Sequence, residues 1–443
     1  MSEAATAQVS LHRAIWAIAL PAMLTNVATA LFGLADMWVI GQLGDAPAQA
    51  GVELGAKFMM GLLIVFNFLR TGTIALIAQS SGRGDERTQA ADMARALAAA
   101  AGIGLLLLAL MPLAIPAGLD LLHARGAAAE EAQTYVAIRY WGGLLWLLNA
   151  ALAGFLIGRR RVGAVLAVEV AANLLHIALD LLFVLGFGWG VAGVAFATLA
   201  SEAIKLVATA VVAAREPPMR GLLHAIGSGA TWSRFALARL FAINRDLFLR
   251  TLLLTGATLL LVRHGAHEGA RVLAANGILY QLFILAALIL DGFESAAQVL
   301  CGEAAGARDR TAFVRLIRLL LLWGLAGGAL LSLAYAAIGA PLAASFSTDP
   351  AVSAATLAYL PWAILLPLAG VTSFVLDGVY VGATWTRALL ATMAIAFAVY
   401  AGLLLVTGPL GNHGLWLAFT VFFMARAAAQ AALLPGLVRR TFA

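Results

Sequence analysis

Charged residues are scarce in this sequence, and cysteine and lysine are almost absent. Only 11% of the 443 residues are charged, whereas 63% are hydrophobic. The outer surface of such a chain cannot be mainly water-facing, which excludes a soluble protein. Cys301 is the only cysteine, so no internal disulfide can form, and Lys57 and Lys205 are the only lysines. What remains is a chain made mostly of apolar segments.

Apolar runs follow one another along nearly the whole chain. A hydrocarbon layer about 30 Å thick needs roughly 20 apolar residues per helix, and the sequence supplies such runs with short breaks between them. The run 102–110 is apolar at every position, whereas a transmembrane β-strand alternates apolar and polar residues. We therefore predict an all-α integral membrane protein whose surroundings are the lipid bilayer.

Breaks at glycine, proline and charged clusters divide the chain into twelve predicted transmembrane helices. They cover residues 14–40, 52–80, 90–116, 131–158, 162–185, 190–214, 232–262, 270–300, 312–338, 353–380, 386–408 and 414–438. The first run continues to about Ile40 without a convincing cleavage site, so we predict a retained helix and not a signal peptide.

Arginines are concentrated in every second break between the predicted helices. One set of breaks holds Arg83, Arg87, Arg159, Arg160, Arg161, Arg215, Arg220, Arg308, Arg310, Arg315, Arg387, Arg439 and Arg440. The alternate set holds little beyond Arg125, Arg263 and Arg271. This asymmetry follows the positive-inside rule and predicts a multi-pass inner-membrane protein with both termini in the cytoplasm. It also explains the net charge of +6 without a nucleic-acid partner.

A constant offset relates the two halves of the chain. Gly158 and Gly382 differ by 382 − 158 = 224, and Asp85 and Asp309 differ by 309 − 85 = 224. Such an offset indicates a tandem repeat, and an even number of helices per half gives both repeats the same orientation. The fold prediction is therefore two pseudo-symmetric six-helix bundles with a cavity between them.

The segment 215–231 is the natural connection between the two halves. It contains Pro217 and Pro218 and lies in a break that carries arginine. We predict an N-terminal six-helix bundle over 1–214, a cytoplasmic linker over 215–231 and a C-terminal six-helix bundle over 232–443.

Two predicted helices carry polar residues on one face. In the fifth helix these are Glu169, Asn173, His176 and Asp180, at steps of four, three and four, and in the first helix Asn26, Thr29, Gly33 and Asp36. Carboxylates in hydrocarbon are costly and usually face a cavity or a partner. Either Asp36 and Asp180 form a proton or cation site, or the two stripes form a structural polar seam between helices.

Two further pairs of opposite charge lie within single predicted helices. Glu202 and Lys205 are three residues apart in the sixth helix, and Asp246 and Arg250 are four apart in the seventh. We expect each pair to form an ion pair within its own helix, because residues three and four apart are neighbours on a helix surface.

Opposite charges also occupy related positions in the two halves. Arg70 in the second helix corresponds by the offset of 224 to Glu294 in the eighth, one turn from Asp291. We predict a gate in which Arg70 bonds Asp291 or Glu294 on the cytoplasmic side. In the alternative, each charge is satisfied within its own bundle or by snorkelling.

No recognised catalytic, metal-binding or nucleotide-binding motif is present. His264, His267 and Glu268 have the spacing of neither HExxH nor HxxEH, so we predict no metal site. Near His176 and Asp180 no nucleophile is recognisable, which argues against a membrane-embedded enzyme, the alternative of another class. Because no GxxxxGK[ST] motif occurs, the energy for any transport must come from an ion gradient.

Several segments resemble the multidrug and toxic compound extrusion family, and specifically its DNA-damage-inducible F branch. The most telling are LPAMLTNVATALFGLADMWVIGQLG, ALDLLFVLGFGWGVAGVAFATLASE, NRDLFLRTLLL, LDGFESAAQVLCGEAAGARD and LGNHGLWLAFTVF. The resemblance covers nearly the whole chain. It implies a V-shaped pair of six-helix bundles that exports amphipathic, often cationic, small molecules in exchange for protons or sodium ions. We expect a monomer without a cofactor.

The resemblance also implies which residues couple transport to the ion. In this branch coupling is attributed to acidic and amide residues of the N-terminal bundle and to bending of the first helix at a proline. The matching positions are Pro21, Asp36, Asn149, Asn173, Asp180 and Thr198. The branch commonly has Asn where this chain has His176, which removes an oxygen ligand that sodium would favour. Protons are therefore the expected ion. The alternative function is a lipid-linked precursor flippase, whose cavity would be richer in basic residues.

Overall fold

The computed structural model describes residues 3–443, with the side chains of residues 10–30 and 36–443, and this part of the chain is helical without a β-strand. The helices are α1 (Glu3–Gly41), α2 (Ala46–Ile64), α3 (Phe68–Gly82), α4 (Glu86–Leu121), α5 (Ala127–Arg139), α6 (Gly142–Gly158), α7 (Val162–Asp180), α8 (Gly190–Ala214), α9 (Leu222–Gly227), α10 (Arg234–His267), α11 (Ala270–Gly306), α12 (Arg310–Ala344), α13 (Pro350–Gly382), α14 (Thr386–Val406) and α15 (Gly411–Thr441). Shorter helical turns cover Val65–Asn67, Leu181–Gly186, Pro217–Gly221 and Gly408–Leu410.

The described residues contain eleven helical stretches long and apolar enough to cross a membrane, or twelve when α5 and α6 count as one bent span. The all-α membrane prediction is thus confirmed. One predicted helix, 131–158, differs in detail, because α5 and α6 meet at an angle of 48°. The bend directly precedes the glycine pair Gly142 and Gly143. Glycine lowers the stability of a helix and is a common site of kinks.

The predicted linker is ordered and partly helical. A 3₁₀ turn over Pro217–Gly221 leads into α9, whose Ala225 packs against Ala90 and Ala94 of α4. Glu216, just before this turn, is buried and accepts hydrogen bonds from Arg159 at 3.0 Å and from Arg161 at 2.6 Å. These contacts hold the segment against the neighbouring helix ends, which its proline content alone did not indicate.

The offset of 224 reappears in how the two halves cap their helices. Asp85 begins α4 by accepting a hydrogen bond from the Thr88 amide, and Asp309 begins α12 by accepting one from the Ala312 amide. The Thr88 hydroxyl also donates to Asp85, and these bonds lower the pKa of the Asp85 carboxyl below its usual range. Both carboxylates satisfy amides that the first helical turn leaves without partners.

Close helix contacts repeat at the same offset. A Cβ on Gly154 would lie 2.7 Å from the Arg70 carbonyl oxygen, and a Cβ on Gly378 would overlap the Glu294 carbonyl oxygen. The second pair is the first pair shifted by 224 residues, since 378 − 154 = 224 and 294 − 70 = 224. Glycine therefore permits the approach of α6 to α3 and of α13 to α11.

The chain divides by its internal contacts into two compact units. The N-terminal unit comprises Leu24–Phe241, and the C-terminal unit comprises the chain up to Met23 together with Ala242–Ala443. Helix α1 therefore contributes to both units, and the division falls just after Pro21. The predicted bundles over 1–214 and 232–443, joined by the linker 215–231, stay a prediction.

Each unit has its own apolar core. In the N-terminal unit, Val52 and Met59 of α2 pack with Tyr135 of α5 and Val194 of α8. In the C-terminal unit the core is aromatic and includes Tyr400, Trp416, Phe419, Phe422 and Phe423. These cores fix the positions of the helices. The faces of the helices that do not contribute to the cores carry the polar clusters.

The first part of α1 is fastened within the C-terminal unit by aromatic contacts. Trp16 makes edge-on contacts with Phe293 of α11 and Trp323 of α12. The Trp323 indole N–H donates to Nδ1 of His12 at 2.8 Å. This anchorage places Pro21 between an anchored start of α1 and the polar residues that follow it.

Candidate functional site

Three ionisable side chains meet in the N-terminal unit, where α1, α7 and α8 adjoin. Asp36 comes from α1, and His176 and Asp180 come from α7, whose spacing of four residues puts them on one face. Asp36 is only 5% exposed, and the other two are fully buried. The structure therefore brings together the two carboxylates that the sequence singled out, with the histidine between them.

One ring nitrogen of His176 serves both carboxylates. Its Nε2 lies 2.5 Å from Oδ1 of Asp36 and 2.9 Å from Oδ2 of Asp180. Neither oxygen of Asp180 meets a donor in hydrogen-bonding geometry within the described part of the chain. Because a ring nitrogen carries at most one proton, it can donate to only one of these carboxylates at a time.

The opposite ring nitrogen is held by Ser201 of α8. The Ser201 hydroxyl donates to the Thr198 carbonyl oxygen at 2.9 Å, and its oxygen lies 3.4 Å from Nδ1 of His176. When the Ser201 hydroxyl donates its proton to the carbonyl, its oxygen can accept only from a protonated Nδ1. The shared Nε2 contact then requires a proton on Nε2 or on Asp36, since a bare nitrogen and a carboxylate repel each other.

A polar seam continues from this cluster along α1 and α7. The Asn173 amide donates to the Ala28 carbonyl oxygen at 3.0 Å, and the Thr29 hydroxyl lies 3.3 Å from Oε1 of Glu169. The predicted polar faces of the first and fifth helices therefore contact each other. Gly33, which the prediction included, lies outside the residues whose side chains the structure describes. The seam contains both the candidate coupling site and structural contacts.

The expected ion pair between Glu202 and Lys205 is present and has a third member. Lys205 Nζ lies 2.9 Å from Oε1 of Glu202 and 3.8 Å from Oε2 of Glu169. All three side chains are largely buried. Lys205 therefore ties α8 to α7, which its spacing from Glu202 alone did not reveal.

Two residues that the resemblance implied have no side-chain hydrogen bond to this cluster within the described part of the chain. The Thr198 hydroxyl donates to the Val194 carbonyl oxygen of its own helix at 2.8 Å. Oδ1 of Asn149 is buried and has no hydrogen-bond partner among the described residues. Ser201, which the sequence did not single out, occupies the position beside His176; its only signal was that it follows Thr198 by three residues on the same face of α8.

The C-terminal unit has its own buried charge cluster, centred on Asp377 of α13. Arg250 of α10 and Arg426 of α15 both donate to Oδ2 of Asp377. The Gln430 side-chain amide donates to Oδ1 at 2.5 Å. Arg426 also lies over the Phe422 ring, 5.6 Å from its centroid.

The expected pair between Asp246 and Arg250 is wrong. Asp246 instead lies 2.7 Å from Arg245 and accepts a hydrogen bond from Thr386 at 3.1 Å. Arg250 pairs with Asp377 because the buried carboxylate on the facing helix offers a partner away from solvent. The signal that could have indicated this partner was a lone acidic residue in the otherwise uncharged run 353–380.

The candidate gate residues belong to different units and are described separately. In the N-terminal unit, Nε of Arg70 is buried without a hydrogen-bond partner within the described chain. In the C-terminal unit, Glu294 accepts a hydrogen bond from Gln298 at 3.0 Å and lies one turn after Asp291 on α11. The gate itself stays a prediction.

Comparison with known proteins agrees with this architecture. The sequence matches the MatE family over residues 21–182 and 247–406, once in each half. It is 33% identical to DNA damage-inducible protein F of Escherichia coli over 427 residues, which cover 96% of this chain and 92% of that protein. It is 29% identical to the probable multidrug resistance protein NorM of Deinococcus radiodurans over 92% of this chain and 91% of that one.

Solved structures of the same fold are also found. The crystal structure of MATE in the bent conformation superposes with a TM-score of 0.86 at 18% identity, covering 98% of this chain and 97% of that one. The crystal structure of MATE in the straight conformation gives the same TM-score of 0.86 at 19% identity, covering 97% of each chain. The equal scores establish the fold and do not distinguish the two conformations. With the family matched in both halves and one relative aligned over nearly its whole length, the chain belongs to the MatE family, a family of multi-pass membrane transporters and not of enzymes.

Proposed function

We propose that the protein exports amphipathic, cationic organic compounds across the bacterial inner membrane in exchange for protons, by alternating access. Membership of the MatE family makes it a transporter. The name of the Deinococcus relative, a probable multidrug resistance protein, supports organic compounds as the substrate class. We further propose that it acts as a monomer with both termini in the cytoplasm.

The single nitrogen shared by Asp36 and Asp180 is the observation on which proton coupling rests. When a proton enters this cluster, the partner of Nε2 can change from one carboxylate to the other. Because Asp36 lies on α1 and Asp180 on α7, such a change alters the bond that joins the two helices. Proton loading would thereby act on α1, whose anchored start and Pro21 allow it to bend.

The donor set supports protons more than sodium. Asp36, His176 and Asp180 bring one nitrogen and two oxygens within 4.8 Å of one another, whereas sodium, a hard cation, prefers oxygen donors throughout. Sodium coupling is therefore the less favoured form of the same proposal.

The balance of charge supports organic cations over anionic lipid-linked precursors. Around the seam lie four carboxylates, Asp36, Glu169, Asp180 and Glu202, against two cations, Lys205 and Arg139, and the one proton shared by His176 and Asp36, so negative charge is in excess. A flippase for anionic precursors would need the opposite balance, because its cavity must attract phosphate groups.

Purified protein in proteoliposomes tests the proposal when pH and sodium gradients are imposed separately. We expect efflux of a fluorescent organic cation to follow an inward proton gradient without sodium. Transport driven by sodium alone at matched pH, without proton movement, would contradict proton coupling. Accessibility labelling of residues 159–161 from inside and 264–268 from outside tests the proposed orientation.

A further inference from the structure

The start of α12 carries a cationic recess with no counterion. The recess is lined by Arg310, Thr311, Val314, Arg315 and Arg318. The three arginines are exposed, and none of them has an ion pair or hydrogen bond to another described residue. Three guanidinium groups thus border one depression without a carboxylate from the described chain to neutralise them.

These arginines do not stabilise the helix on which they lie. Arg315 and Arg318 are three residues apart, so their like charges are neighbours and repel each other. Arg310 is the first residue of α12, where the helix dipole already presents positive charge. Because the fold gains nothing from this arrangement, the recess suits an anionic ligand.

The repeat-related face in the other half is different. The positions 314 − 224 = 90, 315 − 224 = 91 and 318 − 224 = 94 are all alanine in α4. Ala90 and Ala94 are buried beneath Ala225 of α9, so that face is closed by protein. The same face of α12 instead presents arginines at the surface, which shows that the repeat does not itself require the charges.

An apolar stripe continues from the recess along the same face of α12. Leu322 and Leu325 follow Arg318 at helical spacing and are 59% and 42% exposed. With a rise of 1.5 Å per residue, Leu325 lies about 15 Å along the helix axis from Arg315. The surface therefore places a cluster of positive charge next to an exposed apolar track.

We propose that this surface binds an anionic phospholipid, with its phosphate on Arg310, Arg315 and Arg318 and an acyl chain along Leu322 and Leu325. Guanidinium groups bind phosphate by paired, charge-assisted hydrogen bonds. The arginine-rich breaks are predicted to face the cytoplasmic leaflet, where basic residues attract anionic lipids. A phospholipid fits both parts of the surface, whereas a soluble anion uses only the recess. This inference concerns lipid recognition and does not depend on the coupling ion or the exported substrate.

Native mass spectrometry of the full-length protein, titrated with phosphatidylglycerol or phosphatidylcholine in detergent micelles, tests the inference. We expect wild-type protein to prefer phosphatidylglycerol, and each arginine removed to weaken its binding about fivefold. Arg315→Gln with Arg318→Gln should therefore lower the affinity for phosphatidylglycerol about 25-fold and leave phosphatidylcholine binding unchanged. Arg315→Lys with Arg318→Lys should retain the preference, because the charge persists.

The control is Arg439→Gln with Arg440→Gln, which removes the same charge from exposed arginines at the end of α15. Equal loss of lipid in the two double variants would overturn the site, since it would show a general effect of net charge. Complete displacement of the lipid by inorganic phosphate would also overturn it and assign the recess to a soluble anion. Unchanged binding in the α12 variant, shown to be folded by its unfolding temperature, would likewise refute the inference.

Discussion

His176 joins α7 to α1 through one nitrogen, with Nε2 lying 2.5 Å from Oδ1 of Asp36 and only 2.9 Å from Oδ2 of Asp180 in its own helix. A single proton cannot satisfy both contacts at once. The proposed coupling therefore requires that proton occupancy of this cluster selects which carboxylate His176 bonds. Five predictions test this arrangement, the other buried charge clusters and the candidate gate.

Replacing either carboxylate by its amide should uncouple transport from the proton gradient. Asp36→Asn and Asp180→Asn mimic the protonated side chains, so transport driven by a pH gradient should fall to the level of empty vesicles. Folding should be largely unchanged, because each amide keeps the size of the side chain. Glu53→Gln, which neutralises a partly exposed carboxylate of α2, serves as the control and should transport normally. Proton-driven transport that persisted in both Asn variants would exclude these carboxylates as the coupling pair.

Replacing His176 should change the ion that the site accepts. His176→Asn restores the amide typical of this branch and supplies an oxygen where the ring has nitrogen. We expect the variant to gain transport stimulated by sodium and wild-type protein to show none, because sodium prefers oxygen ligands. Transport by both proteins is measured in proteoliposomes with a sodium gradient at matched pH. Equal stimulation of the two would show that the ring does not select the ion.

The two lysines of the chain form a matched pair for a stability test. Lys205 has 10% of its side chain exposed and pairs with Glu202, whereas Lys57 has 58% exposed and pairs with Glu53. Lys205→Met leaves buried carboxylates without a cation and should lower the free energy of unfolding by about 3 kcal/mol. Lys57→Met should lower it by about 1 kcal/mol or less.

Chemical denaturation in detergent measures both losses. Adding Glu202→Gln to Lys205→Met should recover part of the stability, because the double variant removes one of the two unpaired charges and leaves only that of Glu169. Equal losses for Lys57→Met and Lys205→Met would contradict the interpretation that burial makes the Lys205 pair important.

Asp377 should be the residue on which the charge cluster of the C-terminal unit depends. Asp377→Asn removes the negative charge that both Arg250 and Arg426 bond, and should lower the free energy of unfolding by about 3 kcal/mol or more. Asp349→Asn, at the start of the same helix, makes the same chemical change at an exposed N-cap and should have little effect, since Asn also caps helices. A loss in Asp349→Asn as large as in Asp377→Asn would contradict this role.

The predicted gate gives a conformational test. If Arg70 bonds Asp291 or Glu294 when the cavity faces outward, the Arg70→Ala variant lacks this bond. The variant should still bind substrate, but it should no longer hold the outward-facing state. Disulfide cross-linking between cysteines introduced in α3 and α11, with Cys301 replaced, should then decrease. Arg83→Ala, which removes an exposed arginine at the end of α3, is the control. Cross-linking that is equal in wild type and Arg70→Ala would count against the gate.

The spans and the repeat could be predicted because their signals are local. An apolar run of about 20 residues must form a helix in lipid, whatever its neighbours are. The offset of 224 that links Asp85 to Asp309 is present in the sequence and reappears as two N-caps of the same geometry. The bend between α5 and α6 was missed, because two adjacent glycines permit a bend without requiring one.

Partners across the bundle could not be predicted in the same way. The spacing of Asp246 and Arg250 predicted a pair within α10, but Arg250 reaches Asp377, which lies 127 residues away in the chain. A long, flexible side chain bonds whichever buried charge the packing brings near, so local spacing is a weak guide to its partner. Ser201 was missed for a related reason, since a serine in an apolar helix is common and becomes informative only beside His176.

The sequence by itself determined that this is a helical membrane protein of two related halves, and that Asp36, His176 and Asp180 are costly residues in hydrocarbon. The apolar composition, the offset of 224 residues and the concentration of arginine in alternate breaks suffice for this, because the bilayer imposes the same requirements on every membrane-spanning helix. Only the tertiary structure decided that one nitrogen of His176 faces both carboxylates, that Lys205 lies beside two carboxylates, and that Asp377 bonds two arginines. These contacts depend on how helices distant in sequence are rotated and spaced against one another, and that geometry arises from packing along the whole length of the helices.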